Sequence, residues 1–260
     1  MDYPSKKSFT NKPTLKGLSL SAIKDIFFPR SCIQCSGPVE ESPYQYICKT
    51  CSQFLLLANP PNCKICGYPF LVDKILFKNC PHCAELTPSF SRGYTLCLAK
   101  KTGRQLIHNL KYNNGLYLRK DLEAIIRQLP HLRKICQEAI LVPIPLHPTK
   151  LRERGFNQSH AFAEVLQETL NANIQIENTL LRTRFTRSQT TLSRELRKKN
   201  IRKAFALSPN IKLDFKKKYI LVDDVFTTGS TANACAKVLK KQEYAQSNLS
   251  HLDTDKCCFN

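Results

Sequence analysis

The stretch Tyr219-Ile220-Leu221-Val222-Asp223-Asp224-Val225-Phe226-Thr227-Thr228-Gly229-Ser230-Thr231 constrains this chain more than any other. Its apolar lead-in does not alternate with polar residues, the pattern of a parallel strand covered on both faces. Ala232, Ala234, Ala236, Val238 and Leu239 follow as a helix. The two carboxylates then fall at the carboxyl end of a central strand, where open α/β sheets bind ligands. Thr228, Gly229, Ser230 and Thr231 present backbone N–H groups and hydroxyls at a helix N-terminus, a cradle for phosphate. Asp223 and Asp224 suit the vicinal hydroxyls of a ribose, or a Mg2+ ion, rather than the phosphate itself. The plain alternative is a βα turn capped by Thr227 or Thr228. A cap needs one hydroxyl, however, and gives no reason for a buried strand to end in two like charges.

The run resembles the 5-phosphoribosyl-diphosphate (PRPP) loop of type I phosphoribosyltransferases.

The chain has 13 cysteines, eight of which form four Cys-x-x-Cys pairs: Cys32/Cys35, Cys48/Cys51, Cys63/Cys66 and Cys80/Cys83. The gaps between successive pairs are 12, 11 and 13 residues. Such a knuckle grips one metal from a tight turn, and two knuckles complete a tetrahedral four-thiolate site. Eight thiolates therefore hold two Zn2+ ions, and because no coordination position stays open both are structural. The segments between knuckles are too short and polar to build a core, so the metal supplies the folding energy. Successive pairing, first with second and third with fourth, is simplest; a cross-braced pairing stays open. His82, inside the last knuckle, is expected to be a spacer. Nothing suggests export, so metal is a better reading than disulfides, and a cytoplasmic protein is expected.

At 260 residues and 42% hydrophobic content, the chain can form one full domain and a small one. No apolar run approaches the roughly 20 residues of a membrane helix, so no span is expected. The net charge of +20 is uneven: residues 1–90 hold 10 basic and 6 acidic side chains, residues 91–260 the other 30 and 14. The excess thus accompanies the phosphate-loop half. It suits anionic ligands such as diphosphates or a surface that meets nucleic acid, or it is a solvated lysine-rich exterior.

In chain order, residues 1–17 are basic and polar, and Leu18 to Phe28 reads as a short amphipathic helix. Tyr94 to Leu98 reads as a strand and residues 102–112 as a helix broken at Asn113-Asn114-Gly115. A second helix runs from Leu118 to Leu129. His108 and His131 are isolated, so surface positions are expected for both. Ala139 to Pro145 is a second buried strand with prolines at its end. It leads into a basic loop containing Lys150, Arg152 and Arg154, which suits an anion in the cleft, and then into a helix from Ser159 to Leu170. Between Arg182 and Lys203 lie nine Lys/Arg and one acidic residue, Glu195, read as a long loop followed by a short helix.

Taken together, the chain resembles the ComF family, competence-associated proteins with a phosphoribosyltransferase-like domain. The matching parts are the knuckles, Leu110-Lys111-Tyr112, Val142-Pro143-Ile144-Pro145-Leu146, and Arg152-x-Arg154-Gly155-Phe156-Asn157-Gln158. Gln189-x-x-Leu192-Ser193-x-x-x-Arg197-x-x-Asn200 and Leu221 to Thr231 complete the set. The resemblance implies an α/β fold with the open parallel sheet of type I phosphoribosyltransferases, preceded by a small Cys-rich double zinc ribbon. Its expected divisions are a basic segment 1–28, ribbons 29–84, a phosphoribosyltransferase-like domain 92–241 and an atypical polar tail 242–260.

By the same resemblance Asp223 and Asp224 bind the ribose hydroxyls, and Thr227, Thr228, Gly229, Ser230 and Thr231 hold the 5-phosphate. Lys150, Arg152 and Arg154 face the diphosphate, and the Gln189–Asn200 segment, with Gln189, Arg194 and Arg197, closes over it. The reaction implied is displacement of diphosphate from C1 of PRPP through an oxocarbenium-like transition state, with Mg2+ neutralising the leaving group. No base for activating a nucleophile stands out, so the residues point to binding more than to turnover. The implied role is DNA uptake in natural transformation, with single-stranded DNA and a competence helicase as partners. A non-catalytic DNA- or helicase-binding module and a nucleotide-salvage enzyme are the alternatives. One departure is that family members continue past Lys241 into a Gly turn and a final apolar strand, whereas Gln242 to Asn260 is polar. That strand is expected to be absent and Cys257-Cys258 to belong to a frayed end.

Overall fold

The computed structural model describes residues 30–70, 80, 82–84, 86–112, 115–183, 204–214, 216–226 and 228–246. The helix expected at 18–28, Asn113-Asn114, the segment with Gln189, Arg194 and Arg197, Thr227 and the tail beyond 246 lie outside the described residues. The elements are α1 (Lys49–Ser52), α2 (Thr102–Tyr112), a 3-10 turn (Gly115–Leu118), α3 (Arg119–Arg127), α4 (His131–Cys136) and β1 (Ile140–Pro143). After them come α5 (Pro148–Arg154), α6 (Gln158–Leu170), β2 (Gln175–Ile176), β3 (Leu180–Arg182), β4 (Phe205–Leu207), β5 (Tyr219–Val222) and α7 (Ser230–Gln246).

The fold is mixed α/β. β2, β1 and β5 form a parallel sheet in that order, with Ile140 opposite Tyr219 and Pro143 opposite Val222. Every residue of β1 and β5 is buried, because helices cover both faces and side chains alternate between them. Leu141, Ile220 and Val222 pack against Ile125 of α3, Leu132 of α4 and Leu166 of α6. Ile140, Val142 and Leu221 pack against Ala232, Cys235 and Leu239 of α7. Each fully buried Leu or Ile contributes roughly 1.5–3 kcal/mol relative to exposure.

Three expectations need correction. β1, not β5, is the central strand; among the described residues β5 pairs with β1 alone. Tyr94 to Leu98 makes one isolated bridge, Cys97 to Leu57, because the partner it reaches is a ribbon loop rather than the sheet. Residues 148–154 form a helix rather than a loop. Pro148 opens it, His147 Nδ1 accepts the Thr149 N–H, and Gly155 closes it at φ 78, where a left-handed residue ends the turn. Beyond these, α7 runs through Gln246. No helix of the described residues is long and apolar enough to cross a membrane.

The first ribbon shares the main core. Ile47, Cys32 and Cys51 belong to the same apolar cluster as α3 and α6, and Thr102 Oγ1 donates to the Cys51 carbonyl at 2.8 Å. Asp121 of α3, wholly buried, accepts the Tyr46 N–H at 3.0 Å through Oδ1, and burial pushes its pKa up against that hydrogen bond. Asp121→Ala leaves a part-buried N–H without its acceptor and is expected to cost about 1–3 kcal/mol in guanidinium unfolding. An unchanged midpoint would mean that this bond does not hold the ribbon to α3.

Candidate functional site

The eight knuckle cysteines gather as Cys32, Cys35, Cys48 and Cys51, and as Cys63, Cys66, Cys80 and Cys83, with the thiols of each group within 4.8 Å of one another. The successive pairing is therefore the one adopted. Sγ–Sγ separations are 3.8 Å for Cys35–Cys48 and 3.7 Å for both Cys63–Cys83 and Cys66–Cys80. A tetrahedral zinc site with bonds of about 2.3 Å places its sulfurs about 3.8 Å apart. A disulfide would bring them to about 2.05 Å. The thiols thus fit two structural zinc ions. His82 stacks on Tyr68 with ring centroids 3.8 Å apart, outside the thiol group, as a spacer would.

At the end of β5 the chain places Asp223 and Asp224 side by side. Asp223 Oδ1 accepts the Ser159 hydroxyl at 3.3 Å and the Asp224 N–H at 3.0 Å, while Lys111 Nζ meets Asp224 Oδ2 at 3.1 Å. Burial first, and the Asp224 charge second, push Asp223 up to about 7. Its hydrogen bonds and Lys111 oppose that rise without cancelling it. The strand end therefore holds a carboxyl that titrates near neutrality beside one paired with a lysine.

Cations converge on the same place from separate elements. Burial and repulsion from Arg182 and Arg154 lower the pKa of Lys150, and Lys111 adds to the repulsion. Burial lowers that of Arg182 too, with Cys235 and then Asp223 partly restoring it. Lys150 and Arg154 are four residues apart on α5 and share a face. Arg152 lies on the exposed side. Arg154 reaches Gln158 Oε1 at 3.1 Å, and its guanidinium lies 5.5 Å from the Tyr112 ring centre. Lysines and arginines held this close without an equal number of carboxylates favour an anion among them.

The turn after β5 lies behind the carboxylates. Thr228 Oγ1 accepts the Ser230 N–H at 3.4 Å and sits 2.8 Å from the Ser230 hydroxyl, while Gly229, whose carbonyl accepts the Asn233 N–H, holds the cap position. Thr231 follows in the first turn of α7. First-turn N–H groups of a helix lack intrahelical partners, which leaves this turn able to receive an anion as well. Gly229 takes φ +67, and a Cβ there would lie 2.5 Å from Phe226 Cζ and 2.9 Å from Leu86 Cδ2. Gly229→Ala is expected to cost about 1–3 kcal/mol in urea unfolding from the left-handed backbone alone. Wild-type stability in the variant would show that the turn relaxes freely.

Ser159, Lys111 and Arg182 were not singled out from the sequence. Leu110-Lys111-Tyr112 carried a resemblance without a role, and Arg182 was one cation in a basic run. Ser159 carried no local signal, because it meets Asp223 only through the packing of α6 on β5.

The double zinc ribbon domain family matches residues 23–84. Over 220 residues the chain is 26% identical to "Competence protein F" of Haemophilus influenzae, covering 83% of this chain and 93% of the relative. It is 29% identical over 208 residues to "DNA utilization protein YhgH" of Escherichia coli (strain K12), covering 74% and 90%. To "Competence protein ComFC" of Streptococcus pneumoniae it is 26% identical over 206 residues, covering 74% and 88%.

Proposed function

Since this chain is a double-zinc-ribbon homologue of Competence protein F, ComFC and YhgH, we propose that it binds PRPP or a related phosphoribosyl ligand in the service of DNA uptake. One observation carries the reading: paired carboxylates, a hydroxyl-rich glycine turn and cations from α2, α5 and β3 meet at the end of one parallel strand. In this reading Asp223 and Asp224 accept the ribose hydroxyls, and Thr227 to Thr231 hold the 5-phosphate. Lys150, Arg154 and Arg182 face the diphosphate, with Arg152 at the outer rim. Gln189, Arg194 and Arg197 complete the site from the chain that joins β3 to β4, whose paired ends stand at Arg182 and Phe205. Mg2+, which favours carboxylates together with substrate phosphates, would supply charge neutralisation for a departing diphosphate. Residues 92–241 form a phosphoribosyltransferase-like domain in this reading, and 29–84 the ribbons, in a cytoplasmic protein.

Calorimetry with PRPP and Mg2+ tests the proposal. Saturable binding to one site per chain is expected, and a folded, zinc-loaded preparation that gives no heat and no competition by ribose 5-phosphate would overturn it.

A non-catalytic DNA-binding reading draws on Tyr112, which is 62% exposed beside Lys111 and under Arg154. An exposed ring among cations suits a base stacked over a single strand. Affinity for single-stranded DNA that falls steeply with salt and weakens in Tyr112→Ala supports that role.

A further inference from the structure

The two thiol clusters stand in different surroundings. The first belongs to the core of the helical side, through Cys32 and Cys51. The second forms a cluster of its own, and Leu86 and Phe226, which pack on Cys63, Cys66, Cys80 and Cys83, also pack on the apolar cluster between the sheet and α7. Those same two side chains are the ones nearest the space a Cβ on Gly229 would take, with Phe226 Cζ at 2.5 Å and Leu86 Cδ2 at 2.9 Å. The phosphate turn therefore rests directly on side chains whose other side rests on the thiols.

A second tie runs in parallel. Asn233, in the first turn of α7, accepts the Ser89 N–H at 2.6 Å and donates to the Thr87 carbonyl at 3.1 Å. Both partners lie immediately after the last knuckle. Phe90 meets Phe226 edge to face, with centroids 6.3 Å apart. Chain positions 86–90 thus clamp the turn at its floor and at the start of its helix.

We propose that Phe226, Leu86 and Asn233 are positioning residues that couple the second zinc site to the phosphate turn, so that zinc at one and a sugar phosphate at the other stabilise each other. The coupling rests on the reading of Thr228 to Thr231 as a phosphoribosyl site. Its physical basis is that the described residues 63–70, 80 and 82–84 contain turns and an isolated bridge but no helix or ladder, so their shape depends on the metal. Without zinc, Phe226 and Leu86 lose their backing on the thiol side, and the floor under the positive-φ glycine rests on the sheet-side cluster alone. Linkage requires the effect to run both ways and to equal strength.

The test compares wild type with Cys63→Ser, which lacks the second zinc, and with Phe226→Ala, which keeps all eight thiols. Hydrogen exchange over residues 226–235 is expected to speed up at least tenfold in both variants, while residues 140–144 stay protected. Ribose 5-phosphate affinity is expected to fall about tenfold in Phe226→Ala, within the 5- to 150-fold range of ordinary couplings. In equilibrium competition with a chelator, saturating ribose 5-phosphate should tighten the hold on one of the two zinc ions in wild type and not in Phe226→Ala. If ribose 5-phosphate binds wild type but neither variant changes its affinity or the exchange of 226–235, the coupling is overturned while the phosphoribosyl reading stands. If it fails to bind zinc-loaded wild type, the phosphoribosyl reading falls and the coupling with it.

Discussion

Serine in place of Cys51 is expected to reduce bound zinc from two ions to one and to lower the melting temperature by more than about 10 °C. Cys51 is buried in the main apolar cluster and belongs to the first thiol group. Its carbonyl holds the Thr102 hydroxyl at the start of α2. Structural zinc contributes on the order of 10–16 kcal/mol in isolated zinc-finger peptides, and a fraction of that suffices here. In a chain of this size each kcal/mol moves the midpoint by about 2–4 °C, so a loss of about 5 kcal/mol gives the stated shift. Zinc content by a colorimetric chelator and the midpoint by calorimetry check it on the same sample. Cys35→Ser, at an exposed ligand of the same group, should show the same zinc loss. A wild-type midpoint with one zinc missing would mean that the core holds without the first site.

Alanine in place of Asp224 is expected to weaken PRPP binding about 100-fold, the equivalent of one or two hydrogen bonds to a charged acceptor. It also removes the charge that helps raise Asp223, so the remaining carboxyl should titrate lower than in wild type. Calorimetry across pH 5 to 9 reads both effects. In wild type, Asp223 moves from an ordinary 3.8 to about 7, so the folded state holds this proton more tightly than the unfolded chain. Its contribution to stability is present in full below about pH 3.8 and is lost progressively until about pH 7, above which it stays lost. Asp223→Asn keeps a neutral group at the site and should be more stable than wild type at pH 7.5 while matching it near pH 4. A constant difference between the two proteins across that range would mean that Asp223 ionises as an ordinary carboxylate.

The local pieces of the fold were legible because local chemistry decides them. Residues 102–112 form the helix their periodicity predicts, and 139–145 contain the buried strand, ended by prolines that cannot continue a ladder. The short helix at 148–154 was also legible, through Pro148 at its start and Gly155 after its end, but its charges drew the reading toward a loop. The antiparallel pairing of Leu180–Arg182 with Phe205–Leu207 was not legible, since three-residue strands leave no period to count.

By itself the sequence determined which residues could grip metal and where a strand would deliver two carboxylates to a glycine turn. Both follow from spacing along a few neighbouring residues. Only the tertiary structure decided which knuckles share a site, that β5 pairs with β1 alone among the described residues, and what surrounds Asp223. Ser159 is 64 residues from Asp223 in the chain, and Lys111 and Arg182 approach from different elements. Such neighbours are chosen by the packing of helices on a sheet, which a short window of sequence does not encode. The same holds for Phe226, whose contact with the second thiol cluster joins the two features that the sequence presented as separate.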